Sequence, residues 1–171
     1  MLCIFDLDGT VIDSSHRLGD GSLDDWRRLS TPDNIAKDKE LPLANLMRQA
    51  IESPQHMVWI CTSRILGDAD LSWLDRHGLL IPNKDILSRT LAEDDVPAPI
   101  FKKNILHRKI REDHKENLLR PYSTITRFKR STLSHEIWDD DPDVIDTLRL
   151  AGWKVSNATI SNNSGQIGAI A

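Results

Sequence analysis

The sequence predicts an α/β fold, a central parallel sheet flanked by helices, on three observations. Short apolar runs of strand character at Leu2 to Phe5, Met57 to Cys61, Ile86 to Leu87, Glu136 to Trp138 and Lys154 to Val155 alternate with stretches of helical spacing, the rhythm of strands joined by crossover helices. Residues able to do chemistry stand where these runs stop, since Asp6, Thr62 and Asp139 each follow one directly. With 171 residues the chain makes one domain of ordinary size, long enough to bury a core.

The first run delivers Asp6-Leu7-Asp8-Gly9-Thr10 onto a glycine turn. Residues one and three along an extended segment project to the same side, so Asp6 and Asp8 can share one pocket if strand geometry persists past Phe5. Two acids held that close repel unless a cation neutralises them or one keeps its proton. Both states serve phosphoryl transfer. Leu41, Leu43, Leu46, Met47 and Ile51 recur at helical spacing before the second run, and Leu71, Trp73 and Leu74 do so after it, with His77-Gly78 as a helix stop. Phe101, Ile105, Leu106 and Ile110 form the apolar stripe of a longer helix. On that helix Lys102 and Lys103 point about 100° apart, so only one of them faces the site. After the fourth run, Asp141-Pro142 reads as a helix cap followed by proline at the first helical position. Residues 158–171 are mostly small or polar and read as a loosely ordered tail.

The net charge of −4 and pI near 5.8 give no global electrostatic reason to expect nucleic acid. That total conceals a basic segment, because Lys102 to Arg130 holds ten Lys or Arg against three Asp or Glu. Such a run is either a solvated helix face or, with Tyr122 and Phe128 interleaved, a surface for a nucleic-acid strand. Cys3 and Cys61 lie inside apolar runs and read as buried free thiols, not as a disulfide or metal framework. No apolar run approaches membrane-spanning length and Met1 leads directly into a strand, so no membrane association and a cytoplasmic location are expected. A phosphate-cradling Gly-x-x-x-x-Gly-Lys-Ser/Thr loop is absent, which argues against kinase chemistry.

Asp6-Leu7-Asp8-Gly9-Thr10 behind an apolar strand resembles the first motif of the haloacid dehalogenase (HAD) superfamily, and three further motifs follow in order: Thr62 at a strand end, Lys102 at a helix start, and Asp139-Asp140 at another strand end. The resemblance implies a Rossmann-like HAD fold with a small or absent cap and a Mg²⁺-dependent phosphatase mechanism. In it Asp6 attacks phosphorus to form an aspartyl-phosphate, while Asp8 protonates the leaving oxygen and later activates water. Asp139 and Asp140 hold Mg²⁺ with Asp6 and the backbone carbonyl of Asp8, and Thr62 and Lys102 bind phosphoryl oxygens. The implied layout is a phosphatase domain over residues 1–157, with a small helical cap insert at about 14–40 and a basic insertion at about 107–131.

A narrower similarity covers nearly the whole chain. His16-Arg17, Trp26, Thr62-Ser63-Arg64, Ser88-Arg89, Phe101-Lys102 and Trp138-Asp139-Asp140 resemble the small HAD proteins related to the 3′-phosphatase domain of phage polynucleotide kinase/phosphatase. It implies substrate contacts from Arg17, Ser63, Arg64 and Arg89, guanidinium groups being suited to bidentate phosphate binding. The sequence departs from that pattern at Ser63, where glycine is usual, and at Asp141, where arginine is usual. The expected activity is removal of 3′-phosphates from nucleic-acid ends. The alternatives are a phosphatase of free nucleotides or another small phosphate ester, and a catalytically silent binding protein.

Overall fold

The computed structural model describes residues 1–20, 22–115 and 134–164. In chain order its strands are β1 (Leu2–Phe5), β2 (Ile12–Asp13), β3 (Lys39–Glu40), β4 (Met57–Thr62), β5 (Ile86–Ser88), β6 (His135–Asp139) and β7 (Val155–Asn157). Its α-helices are α1 (Leu23–Leu29), α2 (Pro32–Ile35), α3 (Leu43–Glu52), α4 (Asp68–Arg76), α5 (Ala98–Lys115), α6 (Pro142–Leu150) and α7 (Ala158–Ser164). Five strands form a parallel sheet in the order β5-β4-β1-β6-β7, and β2 and β3 form a separate antiparallel ladder. The α/β architecture read from the sequence is therefore the observed one.

β1 lies at the centre of the sheet and is covered on both faces, which is why its run is apolar at every position. Cys3 and Phe5 pack with Leu46, Met47, Trp73 and Leu74 from α3 and α4. Leu2 and Ile4 pack on the other face with Phe101 and Leu106 of α5 and Val144 and Leu148 of α6. Both cysteines are buried free thiols. Burial pushes Cys3 up to about 11 and Cys61 higher still, so neither is a thiolate near neutral pH.

Register converts this sheet into a site. Phe5 stands opposite Ile60 of β4 and Trp138 of β6, and its ring stacks on Trp138 at 4.6 Å between centroids. The next residues along the three strands thus emerge together at their carboxyl ends. Neighbours on the two sides of β1 are reached by crossovers in opposite directions, which opens a crevice at that end of the sheet.

Two short segments differ from the sequence reading. Ala158–Ser164, expected within a loose tail, forms α7, with Ala158 buried. Asn162 secures it, donating from Nδ2 to the Thr10 carbonyl at 3.0 Å and accepting at Oδ1 from Leu43 N at 2.9 Å. Residues 165–171 lie outside the described residues. The β2–β3 ladder, too short to show a periodicity, closes the base of the insert that carries α1 and α2. These helices start at Ser22 and Thr31, whose side chains accept from Asp25 N and Asn34 N. Asp141 is a cap, accepting from Asp143 N at 2.8 Å and Val144 N at 3.3 Å ahead of Pro142. Among the described residues no helix is long and apolar enough to cross a membrane.

Candidate active site

Strand geometry persists just far enough to place the first acid. Asp6 N still donates to the Trp138 carbonyl at 3.0 Å, and Leu7 turns into the core, fully buried. The chain then folds back tightly, with the Leu7 carbonyl accepting from Thr10, Val11 and Ile12 N. Gly9 makes the turn possible. Its φ is +70°, and a Cβ there would lie 2.1 Å from Asp140 Oδ2. Asp6 and Asp8 line one cavity, but their carboxylates meet different partners.

Asp6 belongs to an acid cluster. Carboxylate oxygens of Asp6, Asp139 and Asp140 lie within 4.8 Å of one another. Lys102 reaches into the cluster from α5, 3.0 Å from Asp6 Oδ2 and 2.7 Å from Asp139 Oδ2, while Lys103 is only half-buried. Burial pushes Asp6 up to about 7 although the Lys102 charge opposes it, with Asp139 and Asp8 adding to the rise. Burial likewise raises Asp139 against Lys102, and raises Asp140 to about 6, with the Asp6 charge contributing. Burial would also discharge Lys102, but the charges of Asp6 and Asp139 outweigh it and keep the ammonium protonated. One lysine does not satisfy three crowded acids. Among the described residues nothing hydrogen-bonds the buried Asp6 Oδ1. A set of hard oxygen donors with an unmatched negative charge fits a divalent cation such as Mg²⁺.

Asp8 faces the other way, toward Arg64, which grips both its oxygens, and toward Ser14 Oγ, which donates at 2.5 Å. Burial pushes Asp8 up, but the charge and hydrogen bonds of Arg64 and the Ser14 hydroxyl outweigh it and hold the carboxyl below its usual range. Its side chain is therefore not part of the acid cluster. Arg64 also reaches Asp70 at 2.6 Å.

The remaining expected substrate contacts separate. Thr62, Ser63, Arg64 and Arg89 line the cavity with Asp6, Asp8 and Lys102. Thr62 Oγ1 accepts from Arg64 N at 3.2 Å, and Ser63 Oγ is buried without a hydrogen-bond partner among the described residues. Arg89 donates from Nη1 to the Asp94 carbonyl at 2.6 Å, with its guanidinium over the Phe101 ring. Arg17 differs from expectation. It is fully buried, held by Asp38 at 2.6 Å and Ser30 Oγ at 2.8 Å and stacked over Trp26, so it braces the insert and is not part of the cavity lining.

Sequence reasoning missed Ser14, Asp38 and Asp70. Asp70 reads as an ordinary first-turn acid of a helix, and it does accept from Gly67 N at 3.0 Å. Asp38 stands between two lysines in a stretch with no periodicity, and only its burial marks it. The cavity measures about 690 Å³; the apolar side chains of Leu18, Trp26, Ile65, Leu91, Val96 and Pro97 share its wall with polar ones that include Arg27, Asp94 and Asp95. Arg27 of α1 pairs with Asp94 across it.

Comparison with known proteins is consistent with this geometry. The sequence family described as bacteriophage T5 5′-deoxynucleotidase matches residues 1–171. The 5′-deoxynucleotidase of Escherichia phage T5 is 25% identical over 181 residues, covering 96% of this chain and 70% of that protein. Among solved structures, a haloacid dehalogenase-like family hydrolase from Streptococcus pneumoniae superposes with a TM-score of 0.55 at 12% identity, covering 95% of this chain and 90% of the other. The fold is that of the HAD superfamily.

Proposed function

Because the chain belongs to the bacteriophage T5 5′-deoxynucleotidase family, we propose that it is a phosphomonoesterase that removes the phosphate of deoxynucleoside 5′-monophosphates, with Mg²⁺ as its cofactor. The observation that carries this reading is a cavity whose lining offers two kinds of surface, the acids with Lys102 and a set of apolar side chains with the Trp26 ring. Pockets of this size and composition take small organic ligands. A nucleotide divides the same way, into phosphate and base.

Asp6 is the nucleophile. One of its oxygens attacks phosphorus, the bond to the nucleoside oxygen breaks, and Asp8 supplies that oxygen with a proton. Asp8 then takes a proton from water, the water oxygen attacks phosphorus, and the acyl-phosphate bond opens to restore Asp6 and release phosphate. The negative charge of a bound phosphate beside Arg64 offsets that of the guanidinium while its grip on Asp8 is kept, which raises the Asp8 carboxyl and lets it carry the proton. Lys102, Thr62 and Ser63 hold phosphoryl oxygens. Asp6, Asp139 and Asp140 would hold Mg²⁺, whose charge offsets that of the phosphoryl group during transfer.

A second reading, hydrolysis of 3′-phosphates at nucleic-acid ends, draws on the basic composition of residues 102–130. Much of that segment, including Arg120, Tyr122, Arg127, Phe128, Lys129 and Arg130, lies outside the described residues. Within α5, Lys109 is spent on Asp113 at 2.8 Å and Asp85 at 3.1 Å, and Arg108 stands 3.8 Å from Glu93. Those two cations, being paired, add little to a polyanion site.

Phosphate release from deoxynucleoside 5′-monophosphates, 3′-phosphorylated oligonucleotides and a small alkyl phosphate separates the readings. Mononucleotides are expected to give the highest kcat/KM; preference for the oligonucleotide reverses the ranking. Base stacking on an aromatic side chain contributes about 1–3 kcal/mol, so Trp26→Ala is expected to raise KM for the mononucleotide about tenfold more than it raises KM for the alkyl phosphate. Equal effects on both substrates remove Trp26 from base recognition.

Cation binding is expected to depend on pH. Acids raised from 3.8 to about 7 (Asp6) and about 6 (Asp140) bind protons more tightly folded than unfolded. Their contribution to stability is thus complete below about pH 4 and is lost as pH rises through 6 to 7. Mg²⁺ must displace those protons, so the Tm gain over chelator is expected to be larger at about pH 7.5 than at about pH 5.5. An equal gain at both pH values rules out these acids as its ligands.

A further inference from the structure

Asp8 does not hold its own position. Arg64 grips its carboxylate and is itself pinned by Asp70 at 2.6 Å and approached by Asp38 at 3.6 Å. The Asp38 side chain is fully buried, and Arg17 takes both its oxygens, through Nε at 2.9 Å and Nη2 at 2.6 Å. Arg17 is fixed in turn by Ser30 Oγ at 2.8 Å and by the Trp26 ring at 4.6 Å from its guanidinium carbon. Asp8, Arg64, Asp38 and Arg17 thus form a row of charges alternating in sign, running from the cavity into the insert.

Such a row is a poor way to stabilise a fold, because desolvating each ion costs about as much as its neighbours return, and apolar side chains of equal volume do as well. What it supplies is geometry. Bidentate contacts between a planar fork and a carboxylate fix both distance and angle. Arg17 follows β2 and Asp38 precedes β3, so the ladder that closes the insert also brings this pair together.

We propose that Asp38 is a positioning residue for phosphoryl transfer. Locked by Arg17, it holds Arg64, and through Arg64 it holds the Asp8 carboxylate at the angle needed to protonate the departing oxygen and then to deprotonate water. This rests on the general acid–base role of Asp8 given above.

Asp38→Asn removes the charge between two buried arginines, and Arg17→Lys keeps every charge but loses the bidentate lock. Both are tested with a deoxynucleoside monophosphate and with p-nitrophenyl phosphate, alongside Asp8→Asn and thermal melts. A positioned general acid or base supplies about 10²–10⁴-fold, so a displaced one is expected to lower kcat on the nucleotide about 10- to 100-fold, with KM changed by no more than about 3-fold. The aryl phosphate gives a sharper signature. Its leaving group departs without a proton, so Asp6 is still phosphorylated quickly while water attack is slow. A burst of p-nitrophenol near one per active site is therefore expected, followed by slow turnover. Asp38→Glu, which restores the charge, is expected to recover part of kcat. If Asp38→Asn fails to fold, Arg17→Lys decides.

Folded variants with normal kcat and no burst, beside an inactive Asp8→Asn, overturn the proposal alone. Loss of burst amplitude in step with loss of folded protein also overturns it, because that is a purely structural role. Retained turnover in Asp8→Asn removes the general-acid reading and the proposal with it.

Discussion

Asp6→Asn is expected to lower kcat on the order of 10⁴-fold or more for every phosphate ester, the scale of losing a covalent nucleophile, while leaving the fold intact. An amide has nearly the shape of the carboxylate and can still accept from Lys102 through its oxygen, but it cannot form the acyl phosphate. Stability in chelator at neutral pH is expected to hold or rise. Burial already pushes Asp6 up to about 7, so the folded protein bears the cost of a desolvated charge there, and the amide removes it. The Tm gain from Mg²⁺ is expected to shrink, because one of three clustered carboxylates is gone. Steady-state kinetics and melts with and without Mg²⁺ check all three, and substantial turnover by this variant would falsify Asp6 as the nucleophile.

Lys102→Ala is expected to cost about 10²–10³-fold in kcat, equivalent to about 3–4 kcal/mol, the range found for deleting one preorganised electrostatic contact to a transition state. Lys102 is buried against Asp6 and Asp139, where screening by water is weak and one charge counts fully. Without it the acids are left to repel, and the opposing influence that now holds Asp6 to about 7 is lost. Asp6 then titrates higher, so activity in the variant is expected to recover partly as pH rises. Lys103→Ala is the control, since its side chain is rotated away and half-exposed; its kcat is expected to stay within about 3-fold of wild type. A reversal of the two effects would place the other lysine in the site.

The parts of this molecule that were legible in the sequence are those where local pattern and tertiary role coincide. β1 and β4 are buried on both faces, and each reads as an unbroken apolar run that stops where the site begins. The phase of α5 is fixed by Phe101, Leu106 and Ile110, and that phase turns Lys102 inward. The pairing of Arg17 with Asp38 was not legible, because a guanidinium near the first motif looks the same whether it meets a phosphate or a carboxylate. The partner that decides, Asp38, is twenty-one residues away and becomes its neighbour only through a two-residue ladder. α7 was misread because its residues are small and polar, and what docks it is Asn162 bridging Thr10 and Leu43, contacts no local propensity encodes. The Arg64 grip on Asp8 was unreadable for the same reason, since two residues 56 apart converge only when β1 and β4 pair.

The central place of β1 also sets the order in time by which this protein can become competent. Its two partners, β4 and β6, come from far along the chain, with Leu2 opposite both Met57 and His135. Parallel pairings between such distant segments form slowly, because a long loop must close before any contact rewards it. An intermediate in which β1, β4 and β5 have paired already holds Asp6 beside Thr62, yet it lacks Asp139 and Asp140 until β6 arrives. The acid cluster is therefore complete only once β6 has paired with β1, and recovery of turnover is expected to track that pairing.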